Sequence, residues 1–212
     1  TAKEEDILTS QNLIQNGTVI DKLLESLIVD KSVKLDDLLI GDKNAIMVAA
    51  RILGYGKEYE FTYDGEEKSV DLSELEPLKL DFSKFTRGKN EFEFKLPTSK
   101  RTITFKLLTG GDEKKIDDEI KAREKISKTQ TPVLTTRLKH MILSVDGNVE
   151  KSYINNFVDN EFLSRDSLEF RKYLSEITPD MNMATNIVGS DGKETEVVIP
   201  ITVRFFWPSA WI

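Results

Sequence analysis

The chain of 212 residues has no cysteine and a single histidine, His140. Without thiols there are no disulfides, no thiolate metal sites and no cysteine nucleophile, and a reducing cytoplasm is the simplest compartment. The sequon Asn16-Gly17-Thr18 then reads as accidental. One histidine without a spaced partner cannot supply a protein zinc site. No Gly-x-Ser-x-Gly elbow stands beside it, so the parts of a nucleophile–base pair are missing as well. No metal and no cofactor are expected.

Positive charge is also in deficit. Thirty Lys and Arg face 37 Asp and Glu, for a formal net charge of −7. Non-specific nucleic-acid binding needs a basic footprint, so no nucleic-acid partner is expected. No apolar run approaches the roughly 18–20 residues that cross a bilayer, and no membrane partner is expected. Thr1 opens the sequence without a methionine or signal peptide, and we read a start that is processed, truncated or preceded by disordered residues.

What is present suits an ordered globular chain: 39% hydrophobic and 32% charged residues, enough for one large core or two small ones. The stretch 37–56 organises the reading. Asp42 is placed to cap a helix, and Ala45, Ile46, Ala49, Ile52 and Leu53 recur at helical spacing as a thin apolar face. Gly54 and Gly56 mark its end. Before it, Thr18 is placed to cap a helix buried through Val19, Leu23 and Leu27.

After it, Asp64-Gly65 between β-like segments signals a hairpin. A second hairpin is expected around Pro97-Thr98-Ser99-Lys100, and a charged helix over 112–127. Another helix is expected over 133–145, with Leu134, Leu138, Met141, Ile142 and Val145 on one face. Asp166 is placed to cap a helix that ends before Thr178-Pro179-Asp180, and Gly189-Ser190-Asp191-Gly192 signals a last hairpin.

These features recur in order. An acidic helix start (1–5, 109–113), an Asp-led helix (Asp42, Asp166) and an Asp-Gly hairpin (Asp64-Gly65, Asp191-Gly192) appear in each half. We therefore expect an α+β fold of two imperfectly repeated modules, each with short helices and a β-hairpin. Residues 1–88 form the first, with front strands missing. Residues 89–212 form the second, with a leading hairpin, helices and a C-terminal aromatic strand.

Candidate chemistry is thin. Gly110-Gly111-Asp112-Glu113 invites comparison with the GGDEF signature of diguanylate cyclases, but Lys114 follows instead of an aromatic, and a helix start is the better reading. Gly54-Tyr55-Gly56-Lys57 follows a helix and precedes a strand, the reverse of a phosphate loop. The acidic clusters lack calcium-loop spacing. No catalytic residue is assigned. Phe205, Phe206, Trp207 and Trp211 crowd the end of the sequence. They read either as a strand whose rings close the core or as a tail that anchors a neighbouring subunit, and the two can coexist.

Several blocks together resemble the baseplate proteins of T-even-like tailed phages, described as hub or hub-assembly subunits. They are residues 1–6, 28–30 with 38–61, 134–149 with Phe157-Val158-Asp159-Asn160, and Ile199-Pro200-Ile201 through Phe206-Trp207-Pro208. The resemblance spans most of the chain and includes no catalytic signature. Members open with a short β segment before the acidic helix, which fits the missing front strands. Some relatives carry a Cys-x-x-Cys pair where Tyr63-Asp64-Gly65 stands here, so no metal knuckle is carried over.

The resemblance implies a non-enzymatic component of a contractile tail baseplate, in the hub or wedge-hub region. It would be assembled in the host cytoplasm and reside in the virion. Its expected partners are other baseplate and tail proteins, with self-association allowed. The alternative is an assembly chaperone absent from the finished particle.

Overall fold

A computed structural model describes residues 1–126, 132–189, 192–199, 201 and 203–206. The chain is α+β and divides into two compact units. One comprises Thr1–Leu78 with the chain from Pro179 onward, the other Lys79–Thr178.

The first unit opens with α1 (Ala2–Leu8), α2 (Gln11–Gln15), α3 (Val19–Leu27) and α4 (Ile40–Tyr55). In α3, Val19, Leu23 and Leu24 are buried on one stripe, as a 3.6-residue period requires. Thr18 precedes α3 but makes no side-chain cap. Helix α4 begins at Ile40, so Asp42 lies inside the first turn rather than capping it. There its charge faces the positive end of the helix dipole. The buried side of α4 is Gly41, Met47, Val48 and Arg51, whereas Ala49 is exposed and Leu53 is 87% exposed. Of the expected face, Ile46 and Ile52 pack against the core, whereas Ala49 and Leu53 face solvent. Met47 and Val48 pack with Leu8, Leu24 and Tyr59.

Strands β1 (Glu58–Tyr63) and β2 (Glu66–Asp71) form the expected hairpin, with Asp64 at φ 50° and Gly65 at φ 79°. Their inward face pairs Tyr59 with Val70 and Phe61 with Lys68, while Glu60–Ser69 and Thr62–Glu67 face outward.

The second unit centres on a three-stranded antiparallel sheet in the order β3 (Phe92–Lys95), β4 (Thr102–Phe105), β5 (Ile142–Val145). Helices α5 (Gly110–Ile126) and α6 (Val133–Met141) lie between β4 and β5 in sequence. Helix α7 (Lys151–Asn156), a π-helical turn (Phe157–Glu161) and α8 (Ser164–Ile177) follow. The helix expected over 133–145 therefore stops at Met141. Residues 142–145 pair with β4 instead, a partner far away in sequence that the local period does not reveal. Rings build much of this core. Phe85 meets Phe92 at 5.4 Å, Phe92 meets Phe105 at 5.6 Å, and Phe105 meets Phe170 edge-on at 4.8 Å.

The chain then returns to the first unit. Strands β6 (Ala184–Val188) and β7 (Glu194–Val198) pair antiparallel as expected, although Ser190 and Asp191 of their turn lie outside the described residues. A short helix α9 (Val203–Phe206) replaces the expected aromatic strand. Each unit thus carries helices and an antiparallel hairpin, but the boundary differs from the expected one at 88. Residues from Pro179 belong with the first unit because Ile199, Phe205 and Phe206 fill its core beside Leu23, Leu24 and Leu72.

Candidate functional site

The sequence singled out the aromatic end, and the structure gives two of its rings an interior role. Phe205 is fully buried, Phe206 is 2% exposed, and their rings meet edge-on at 5.3 Å. Phe205 also lies 5.1 Å from the Tyr59 ring. These two side chains are core packing and are not available as docking anchors. Trp207 and Trp211 lie outside the described residues.

What the first unit does offer is a groove of about 380 Å³ between α1, α3 and α4. Leu8, Leu23, Leu27, Ala50, Leu53 and Phe206 make its apolar lining. Ala50 and Gly54 keep the α4 side low, and Glu4 and Glu5 of α1 stand on its rim. Glu5 accepts a hydrogen bond from the Tyr55 hydroxyl at 3.1 Å, which fixes that side. Burial and this carboxylate together hold the Tyr55 hydroxyl above its usual pKa. Periodicity had placed Leu53 in the core, so the groove was missed. Its signal was the thinness of the alanine–glycine face.

Behind the groove, Arg51 is buried without a carboxylate. It donates to the carbonyls of Gly56 at 2.8 Å and Glu58 at 3.1 Å, and lies over the rings of Tyr55 and Tyr59. It thereby takes up the carbonyl at the C-terminal end of α4 and the first of β1. Burial lowers its pKa, a direction with no consequence near neutrality.

In the second unit the polar residues form structural pairs. The Gly110-Gly111-Asp112-Glu113 stretch is a helix start. Thr109 Oγ1 accepts from Asp112 N at 3.3 Å, and the Asp112 carboxylate accepts from Thr109 N at 3.2 Å, a reciprocal cap. Lys106 closes on the same carboxylate at 2.7 Å. Burial would raise the Asp112 pKa, but Lys106 and Thr109 outweigh it and hold the carboxyl below its ordinary range. Glu113 binds Arg137 two-pronged, Lys139 pairs with Asp159 at 2.6 Å, and His140 meets Glu119 at 2.9 Å. Lys151 donates to the Lys139 carbonyl, and its pKa is lowered by burial.

Asp166 does not cap its own helix either. Buried in the first turns of α8, it accepts from the backbone N–H groups of Thr98 at 2.7 Å and Ser99 at 2.9 Å. It thus fastens the β3–β4 turn. Among the described residues no group of three or more His, Asp or Glu side chains is arranged to hold a metal.

Comparison with protein-family models, curated proteins and solved structures finds no match. The site is therefore read from its own chemistry. The groove can hold an apolar group that carries a hydrogen-bond donor, because its walls are hydrocarbon and its rim is carboxylate.

Proposed function

We propose that the chain is a structural component of a contractile phage tail baseplate, in the hub or wedge-hub region, acting through contacts with other baseplate and tail proteins and catalysing no reaction. It would be assembled in the host cytoplasm and reside in the virion. The observation that supports this reading is that each unit leaves large apolar side chains in solvent. Val29 and Leu53 are 92% and 87% exposed in the first unit, and Phe82 and Val149 are 75% and 73% exposed in the second. Single exposed aliphatics are ordinary. Leu53, however, stands over a groove already lined with hydrocarbon, which is the pattern of a contact surface. The resemblance of 28–30, 38–61 and 134–149 to baseplate subunits points the same way.

A second reading, an assembly chaperone, is favoured by the net charge of −7 and by α5, whose residues 121–125 are all exposed. Mass spectrometry of purified phage particles separates the two, with copy number measured against a known tail protein. We expect a symmetric stoichiometry. Presence only in the infected-cell lysate would refute the structural role and favour the chaperone.

A further inference from the structure

Three lysines of the second unit gather where α6 passes into β5. The Lys106 N–H donates to the Met141 carbonyl at 3.0 Å, Lys139 is buried on α6, and Lys151 opens α7 and donates its amine to the Lys139 carbonyl. Two of the three hold a carboxylate: Lys106 reaches Asp112 at 2.7 Å and Lys139 reaches Asp159 at 2.6 Å. Among the described residues Lys151 forms no such pair. We propose that Lys151 is a covalent acyl-acceptor site, its amine activated by the two lysines beside it and taking acyl groups from thioesters. The inference is independent of the baseplate reading and holds whether or not the chain belongs to a virion.

Three observations carry it. The first is charge. An amine that is desolvated or set beside other cations gives up its proton more readily and becomes a nucleophile. Burial of the ammonium is the first cause of the lowered Lys151 pKa, and Lys106 and Lys139 add to it. Glu119 acts in the opposite sense, but its carboxylate is already engaged by His140 at 2.9 Å and Arg123 at 2.8 Å. The second is hydrogen bonding. The Lys139 carbonyl takes one N–H, so a neutral amine there keeps its lone pair free. The third is access. Lys151 is exposed in total area, whereas Lys139 is buried and Lys106 half-buried, so an electrophile reaches Lys151 alone of the three.

In the acyl transfer the Lys151 lone pair adds to the thioester carbonyl carbon. The N–C bond forms, the C–S bond breaks, and the departing thiolate takes up the proton that the nitrogen loses. The ammonium groups of Lys106 and Lys139 offset the negative charge that develops on the carbonyl oxygen. The resulting amide removes one positive charge from the junction and retains one N–H for the Lys139 carbonyl.

The test is limited acetylation of the purified full-length chain with the acetyl thioester of N-acetylcysteamine, followed by peptide mass spectrometry. At about pH 7 we expect Lys151 to be acetylated several-fold faster than the exposed lysines Lys79, Lys89 and Lys95. The advantage should shrink at a pH near the ordinary lysine value of about 10.4, where the other amines also lose their protons. Lys106→Gln and Lys139→Gln each remove one neighbouring charge and should slow Lys151 several-fold, with far-ultraviolet circular dichroism confirming the fold of each variant. A Lys151 rate no higher than that of the three reference lysines at about pH 7 overturns the proposal. So does an advantage of the same size at both pH values, or a rate unchanged in both folded variants, because exposure alone would then account for the labelling.

Discussion

Gly41 sets two effects of opposite sign against each other. It lies in the first turn of α4, where replacing glycine by alanine ordinarily stabilises a helix by up to about 1 kcal/mol. A Cβ at Gly41, however, would stand 1.8 Å from the Pro179 carbonyl oxygen, 2.5 Å from its carbon and 2.7 Å from the Asp180 Cα. All three are backbone atoms, so no rotamer change relieves the overlap. The segment is also pinned. Asn44 donates to Asp180 at 2.9 Å, Leu78 N–H donates to the Asp180 carbonyl at 2.8 Å, and Asn182 N–H donates to the Glu76 carbonyl at 2.9 Å.

Moving 179–180 far enough would cost one or two of these bonds, at about 1 kcal/mol each. Residual overpacking adds about 1–3 kcal/mol. Repulsion wins, and Gly41→Ala should destabilise by about 2–3 kcal/mol net of the propensity gain. Gly54, in the same helix, has nothing within 4 Å of the added carbon, so Gly54→Ala should stabilise by about 0.5–1 kcal/mol. Urea titration of both variants, compared at unchanged m, reads the two signs. A Gly41→Ala midpoint equal to or above that of the unaltered chain would refute the close approach.

Two further outcomes follow from buried charge. Asp166→Ala leaves the N–H groups of Thr98 and Ser99 without their acceptor and should cost about 3 kcal/mol, read by urea denaturation, with Asp166→Asn costing less because its amide oxygen still accepts. Burial would raise the Asp166 pKa, but its donors Ser99 and Thr98 outweigh this and lower it. Its contribution is therefore complete above the unfolded carboxyl value of about 3.9 and is lost as pH falls through the lower folded value. The acid limb of stability should accordingly flatten in Asp166→Asn, and an unchanged limb would sink this account. Arg51→Met keeps the bulk but removes the donors to Gly56 and Glu58, and should lower stability by about 2 kcal/mol. A more stable Arg51→Met would mean that the cost of burying an unpaired guanidinium exceeds its hydrogen bonds.

Legibility in the sequence followed the range of the interactions. The Asp64-Gly65 and 97–100 hairpins and the α5 start were visible because turn and cap chemistry is local. The α+β class followed from the same alternation. Elements fixed by distant partners were not visible. Residues 142–145 have the apolar spacing of a helix, yet β4 takes them as a strand. Asp166 looks like a helix cap, yet its acceptors serve a turn 67 and 68 residues earlier. The stripe through Leu53 fits a buried face by period alone, but the core approaches α4 from the side of Met47, Val48 and Arg51. Nothing in the sequence marked the return of the chain after Pro179 to the first unit, since Gly41 shows its role only against that backbone.

The electrostatics separate the two units as candidates for function. Catalytic groups are recognised by shifts that desolvation or a poised partner imposes inside a cleft. In the second unit the lowered carboxyls have structural explanations: Asp112 by Lys106 and its own helix cap, Glu119 by His140 and then Arg123, Asp166 by two turn amides. Lys151 is lowered as well, by burial, but its ammonium is spent on the Lys139 carbonyl. These pairs hold elements together. The first unit has the converse arrangement, with a groove of about 380 Å³ whose hydrocarbon is incompletely covered and whose rim carboxylates include Glu5, engaged with the Tyr55 hydroxyl. Favourable free energy remains to be gained there by covering Leu53.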